Sequence, residues 1–156
     1  MGLFDLFWRN KRIYEGPVVD IREKYRVSKQ TSFDGVPTVY YDVLRHDDKE
    51  KVGSIDLRLT AEGDMYYYGH IGYNVIKAHR GHNYAYYACR VLFEVAKKEF
   101  DMDELIITCS PENVPSYKTL RRLGGELIEL VKVPKNHTLY NQGEKTKYIF
   151  RYKISL

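Results

Sequence analysis

Two histidines, an arginine and a lysine crowd around one glycine in IKAHRGHNYA, residues 76–85. Three chemistries can use such a cluster. A nucleic-acid surface needs basic and aromatic residues interleaved over a broad area. Here the local charge is confined to Lys77 and Arg80, with His79 and His82 only weakly basic. A metal centre needs ligands converging from several elements. His79 and His82 stand three apart across a turn, and no nearby Cys or Glu joins them. The third chemistry is anion binding. Where a strand ends, a glycine loop turns and a helix begins, unpaired N–H groups gather at the positive end of the helix dipole. Gly81 lets an anion approach the backbone, and Arg80 adds charge. One glycine is also what an ordinary strand-to-helix turn contains, so the surrounding elements decide.

The first half of the chain reads as strands. Residues 25–32 and 36–46 flank FDGV, where Asp-Gly marks a hairpin turn. HDDKEK is a polar turn into VGSIDLRL, in which Ile55, Leu57 and Leu59 alternate with Ser54, Asp56 and Arg58. After AEGD, residues 65–76 read as a long strand, giving an antiparallel meander. The period then changes. Ala85, Ala88, Cys89, Leu92, Val95 and Ala96 recur at helical spacing over 83–98. LIITC (105–109) predicts a strand buried on both faces. SPENVPSYKTLRRLGG predicts a three-turn helix, with Asn113 or Val114 at its start, Pro115 in its first turn and Gly124 past its end. Strands over 126–133 and 147–154 follow, separated by the polar loop PKNHTLYNQGEKT. The order β-β-β-β-α-β-α-β-β makes a mixed α/β (α+β) fold, and its strand–helix–strand unit implies a parallel pair with a right-handed crossover. Before the meander there is at most one helical stretch, around 17–24.

Composition narrows the class. The 156 residues, read as one domain over 1–156, carry a net charge of +4. That suits a phosphate-bearing partner but not a dedicated nucleic-acid binder. Cys89 and Cys109 sit in apolar runs without CxxC spacing, which points to buried thiols in the reducing cytoplasm and to no metal. No apolar run approaches ~18 residues, so no integral membrane association is expected. The N-terminal segment 1–15 opens with MGLFDLFWRNKR, read as a short amphipathic turn packed on the body, with a peripheral membrane or partner anchor as the sharper alternative.

VIKAHRGHNYA resembles motif A of the GCN5-related N-acetyltransferases (GNATs), R/Q-x-x-G-x-G/A after a long strand. Arg80 takes the first position, Asn83 that of the first glycine and Ala85 the last. ITCSPENVPSYKTLRRLGGELIE is similar to the family's second conserved helix, and with GHIGY the likeness covers about 52–154. The combination resembles a bacterial acetyltransferase subgroup. The resemblance implies an acyl-CoA N-acyltransferase-like fold with a reduced N-terminal helical region. It also implies a CoA-dependent N-acetyltransferase, a transferase with acetyl-CoA as co-substrate. The acceptor would be the amine of a small molecule, peptide or protein.

By position, the pantetheine arm would pair with Tyr73, Asn74, Val75 and Ile76, and the N–H of Val75 or Asn74 would polarise the thioester carbonyl. The pyrophosphate would lie on the amides of Arg80, Gly81, His82, Asn83, Tyr84 and Ala85. Asn113 and Ser116 would meet the pantetheine or sulfur end. Lys118, Arg121 and Arg122 would either reach the nucleotide phosphates or form a solvated face.

Three departures from the family matter. Asn83 replaces a glycine, and asparagine is the side chain that best tolerates left-handed backbone angles. Leu120 stands where many members carry a tyrosine that protonates the departing thiolate, leaving Ser116, Tyr117 or water for that task. The two helices that usually wall the acceptor site are reduced to at most the one stretch around 17–24, so the site is more open or is completed by a second subunit of a homodimer. Candidate bases for the amine are His70, Asp56 and Glu112, of which His70 has the best-suited ordinary pKa. A non-catalytic acyl-CoA or nucleotide-binding module, or an interaction protein, is the competing reading.

Overall fold

The computed structural model describes residues 12–29 and 35–155. The apolar N-terminus and the FDGV turn therefore fall, in whole or in large part, outside the described residues. Five strands form one antiparallel sheet in sequence order: β1 (Ile13–Tyr14), β2 (Val19–Val27), β3 (Thr38–Arg45), β4 (Lys51–Arg58) and β5 (Ile71–Val75). Helix α1 (Tyr84–Phe100) follows, then β6 (Glu104–Cys109), α2 (Val114–Arg122), β7 (Glu126–Lys132), the short α3 (Thr138–Asn141) and β8 (Thr146–Lys153). The last three strands make a second antiparallel sheet, ordered β6-β8-β7.

Alternation places Ile21, Val39, Tyr41, Val43, Ile55 and Leu57 on one face of the first sheet, where all are buried. Ala88, Cys89, Val91, Leu92, Val95 and Ala96 put the apolar stripe of α1 against them. Burying a side chain such as Leu92 completely is worth about 1.5–3 kcal/mol. The other face of that sheet is polar. Tyr40, Asp42, Ser54, Asp56, Gly72 and Asn74 share it through the registers Tyr40↔Asp56↔Gly72 and Asp42↔Ser54↔Asn74. No helix precedes β2 among the described residues.

Several expectations are corrected. Residues 17–24 are not helical: Val19 and Ile21 alternate into the core and pair with Arg45 and Val43, so this stretch opens β2. Residues 65–76 are not one strand. A 3-10 turn occupies Gly63–Tyr67, and β5 begins only at Ile71, after Gly69 at φ 73°. No parallel ladder joins β5 to β6. The two sheets meet at a single bridge, Gly69↔Ile107, beside the His70 N–H that donates to the Ile106 carbonyl at 2.7 Å. An added Cβ on Gly69 would lie 2.7 Å from that same carbonyl, so only glycine lets the sheets touch here. Strand 105–109 is also less enclosed than expected, with Leu105, Ile107 and Cys109 buried and Ile106 and Thr108 half-buried. The polar loop before β8 holds α3, capped by His137, whose Nδ1 accepts from the Leu139 N–H.

Candidate functional site

A groove of about 730 Å³ lies between β5, the start of α1 and the first turns of α2. Its floor at the α1 end is the loop 80–85. Gly81 has φ 93° and Asn83 has φ 61°, ψ 26°, so asparagine adopts the left-handed conformation that the family's glycine would supply. The Asn83 side chain makes no capping bond, which leaves the first N–H groups of α1 to whatever enters the groove. Asn83→Gly should therefore leave stability within about 0.5 kcal/mol, whereas Asn83→Ala should lower it by about 1 kcal/mol. Urea titration of the two variants checks this. Neighbouring elements hold the loop. His79 Nε2 lies 3.3 Å from Glu50, Arg45 pairs with Glu50 at 2.8 Å, and Arg45 also meets the Tyr84 hydroxyl.

The β5 wall is an unpaired strand edge. Arg58 N–H donates to the His70 carbonyl and Ile76 N–H to Val52, so even-numbered residues of this strand point at β4. By alternation, the N–H and C=O groups of Ile71, Tyr73 and Val75 point the other way. The Asn74 amide is thus consumed in the ladder, while that of Val75 is directed into the gap. The Arg80 side chain closes the end of this edge by donating Nε–H to the Val75 carbonyl at 3.1 Å.

The α2 wall begins at Asn113, whose side chain accepts from the Ser116 N–H at 3.2 Å and caps the helix. Ser110 donates to Glu144, which also binds Lys147 at 2.9 Å, and this anchors the loop that delivers Asn113. Ser116 Oγ lies 2.6 Å from the Tyr73 hydroxyl, so the two walls touch through a pair of hydroxyls. Burial pushes the Tyr73 phenol well above its ordinary pKa. Tyr117 does not line the groove; its ring packs on Tyr148 and Phe150. Leu120 is fully buried and its carbonyl accepts from Tyr152.

The groove is cationic. Arg80, Lys118 and Arg122 line it, and none of its lining residues is acidic. Arg122 stacks over the Tyr86 ring at 4.1 Å. Of the expected cofactor contacts, Tyr73, Asn74, Val75, Arg80, Gly81, Asn83, Tyr84, Ala85, Asn113 and Ser116 come together here. Ile76 and His82 do not line it. The Ile76 amide is spent on Val52, and the His82 ring stacks on Tyr84. Arg121 is also absent from the lining. Tyr86 and Thr119 join without having been singled out, and so does His79, weighed above only as a metal ligand. Tyr86 was legible as the first-turn position three residues past Asn83; His79 depends on the distant Glu50.

Two of the three candidate bases are placed by specific contacts. His70 Nδ1 accepts from the Ile106 N–H at 2.9 Å, and burial holds its pKa down to about 4. Its acceptor nitrogen is occupied and the other carries the proton, so its geometry is that of a clamp between the sheets. Asp56 sits over Gly72: its Oδ1 lies 2.9 Å from where a Cβ on Gly72 would be. Burial raises its pKa, and Arg58, 3.4 Å away, opposes the rise. One Asp56 oxygen has no hydrogen-bond partner within the protein. Glu112 is exposed beside the α2 cap.

Cys89 and Cys109 are buried, and burial pushes their thiols up to about 12 and about 11. Neither is a nucleophile at neutral pH. Among the described residues no group of three or more His, Cys, Asp or Glu side chains is placed to hold a metal, and no helix is long and apolar enough to cross a membrane.

The family model described as an acetyltransferase (GNAT) domain matches residues 8–126, more than half of the chain. That span starts and stops earlier than the stretch carrying the residue resemblance. The chain is 33% identical over 54 residues to the uncharacterized N-acetyltransferase YnaD of Bacillus subtilis, a match spanning 35% of this chain and 32% of YnaD. Among solved structures, a GNAT-family acetyltransferase from Bacillus anthracis superposes with a TM-score of 0.59 at 23% identity, over 73% of this chain and 65% of that one. RimL, a ribosomal L7/L12 α-N-protein acetyltransferase in complex with coenzyme A, gives 0.66 at 12% identity, over 92% and 98%. These structures share the acyl-CoA N-acyltransferase fold. With the family model matching more than half of its length, the chain belongs to the GNAT acetyltransferase superfamily.

Proposed function

We propose that the protein transfers the acetyl group of acetyl-CoA to a primary amine by direct attack on the thioester. The observation that carries this reading is the groove itself. An unpaired strand edge, an uncapped helix start and three cationic side chains line it together, with no acidic residue. Pantetheine amides add to the β5 edge at Tyr73 and Val75, and the pyrophosphate rests on the amides of 81–85. The Val75 N–H polarises the acetyl carbonyl. The amine nitrogen bonds to that carbonyl carbon and the C–S bond breaks. The departing thiolate accepts a hydrogen bond from the Ser116 hydroxyl, which the Tyr73 hydroxyl positions, and takes its proton from water. A CoA thiol has a pKa near that of cysteine, about 8.5, so the departing sulfur needs little help.

The acceptor approaches over the polar face of the first sheet. Asp56 shares that face with Asn74, two positions or about 7 Å along the ladder, and takes the amine's proton through water. Among the described residues no helix covers the start of this face, which favours an acceptor as large as a peptide or protein N-terminus. RimL, which acts on a ribosomal protein, has the same fold.

The test combines turnover and binding. Pure protein is incubated with acetyl-CoA and a panel of peptide N-termini, polyamines and aminoglycosides, and thiol release is followed. Asp56→Asn should lower kcat by about 100-fold with the KM for acetyl-CoA unchanged. The wild-type rate should fall with pH through the raised Asp56 pKa. CoA stabilisation without thiol release across the panel would overturn catalysis and leave a binding module. No thermal shift at CoA concentrations far above typical dissociation constants would overturn both.

A further inference from the structure

Four residues cross the polar face of the first sheet in one row: Arg22, Asp42, Ser54 and Asn74. Asn74 adjoins Val75, the residue whose N–H meets the thioester in the reaction proposed above. Ser54 and Asn74 are exposed, whereas Asp42 is buried. Two cations share that one carboxylate. Arg22 lies 3.3 Å from one Asp42 oxygen, and Lys51 Nζ lies 3.0 Å from the other. Burial pushes the Asp42 pKa up, but the bonds from Lys51 and Arg22 outweigh it and hold the group below its ordinary value. Asp42 is therefore ionised at neutral pH, and two positive charges stand against one negative. The exposed Lys24 adds its field at the same carboxylate. Asp20, the neighbouring acid on β2, is already bonded to Lys49 and His46. The side chains of Arg22 and Lys51 are 33% and 46% exposed, and among the described residues neither pairs with another carboxylate. A buried anion thus holds two cations in place while most of their N–H donors remain for a ligand.

We propose that Arg22 and Lys51 bind a carboxylate of the acceptor, so that the substrate is the N-terminus of an acidic peptide or protein segment. The placement rests on the acetyl-transfer reading of the groove. Neighbouring strands lie about 4.8 Å apart, so Asp42 is about 10 Å from Asn74 across the sheet. A peptide extended along the row at about 3.3 Å per residue covers that distance in about three residues. With its amine at Asn74, the chain passes over Ser54 and brings its third or fourth side chain to the cations. Charge also selects against other amines. A polyamine or an aminoglycoside brings several positive charges to a face that already has an excess of them, whereas a glutamate finds donors held ready.

The probe is an alanine-rich peptide with a free N-terminus and a C-terminal fluorophore. One version carries glutamate at its third and fourth positions, and the others carry glutamine or lysine there. Anisotropy titration in the presence of CoA should show the glutamate peptide binding about tenfold tighter than the glutamine one, with lysine weakest. Raising salt from about 0.05 to 0.5 M should narrow the difference. Lys51→Gln should remove most of the glutamate preference and leave the glutamine peptide unaffected. Asp42→Asn should act in the opposite direction, tightening the glutamate peptide about threefold, because it releases both cations. A role confined to holding the strands together predicts a loss in both variants. In turnover the preference should appear in KM, with similar kcat for the three peptides.

Equal affinity for the three peptides, indifference to Lys51→Gln, or weaker glutamate binding in Asp42→Asn would overturn the proposal. Equal thiol release with all three peptides would also overturn it, while leaving acetyl transfer intact. Preferential glutamate binding without thiol release would support the acidic track and count against transfer alone. If Asp42→Asn fails to fold, Lys51→Gln at its exposed position decides alone.

Discussion

Glutamate in place of Gly81 should raise the Kd for CoA by at least about 100-fold and lower the melting temperature by only a few degrees. The two effects separate because of where the side chain goes. Gly81 lines the groove and a Cβ on it meets nothing within 4 Å, so the new carboxylate is accommodated at the groove's edge without displacing an atom. The backbone cost is that of a left-handed residue, about 1–2 kcal/mol. The electrostatic cost is larger. A charge about 5 Å from a phosphate at an effective dielectric near 20 loses about 3 kcal/mol, and a pyrophosphate presents more than one charge. Gly81→Lys carries the same strain with the opposite sign and should bind CoA within about tenfold of wild type. Calorimetric titration of the three proteins is the measurement. Equal affinity in wild type and Gly81→Glu would remove the pyrophosphate from this loop, and with it the proposed cofactor pose.

The second large effect concerns acid. His70 has an unfolded pKa of 6.5, and burial holds the folded value down to about 4. The unfolded chain therefore takes up a proton that the folded one refuses. Stability is complete above about pH 6.5, falls as pH drops toward 4, and stops falling on this account below that. Discounted for the partial exposure of the ring, the loss is about 2–3 kcal/mol. Asp56 works the other way, since burial raises its folded pKa and makes protonation easier in the folded state. Asp20, Asp42 and Glu144, held low, begin to weaken the fold only below about pH 5, as the unfolded carboxylates take up protons. Urea unfolding at pH 7.5, 5.5 and 4 resolves the window. His70→Asn keeps an acceptor for the Ile106 N–H and removes the titration, so its stability should be nearly flat from 6.5 to about 5, where the carboxylates take over. Parallel curves for the two proteins would show that His70 is not the group responsible.

What could be read from the sequence was local chemistry. The helix α1 follows from the spacing of Ala88, Cys89, Leu92, Val95 and Ala96, all of them buried. Asn83 was legible because few side chains take a positive φ, and the structure gives it 61°. Asn113 as a cap and Gly124 beyond α2, at φ 83°, follow from the same kind of rule. What was not legible depended on partners distant in the chain. The stretch 17–24 carries too little local signal to separate strand from helix, and β3 decides it by pairing. His70 reads as a free base in sequence and becomes a clamp because Ile106 arrives 36 residues later. The Tyr73–Ser116 pair spans 43 residues and has no pattern at all. The missing parallel ladder has the same origin, for nothing within β5 or β6 announces that a bridge at Gly69 will hold them apart beyond it.

The unpaired edge of β5 has a consequence for how such a protein can drift. A main-chain N–H is present in every residue but proline, so a ligand held by the backbone places almost no demand on residue identity. The side chains at 71, 73 and 75 stay available for packing inward, and those at 72 and 74 for shaping the opposite face. Substitution along this strand can retune the partner that approaches from that face while the donors aimed into the gap persist. Proline is the exception. At 73 or 75 it would delete a donor outright, and no neighbouring side chain could replace it.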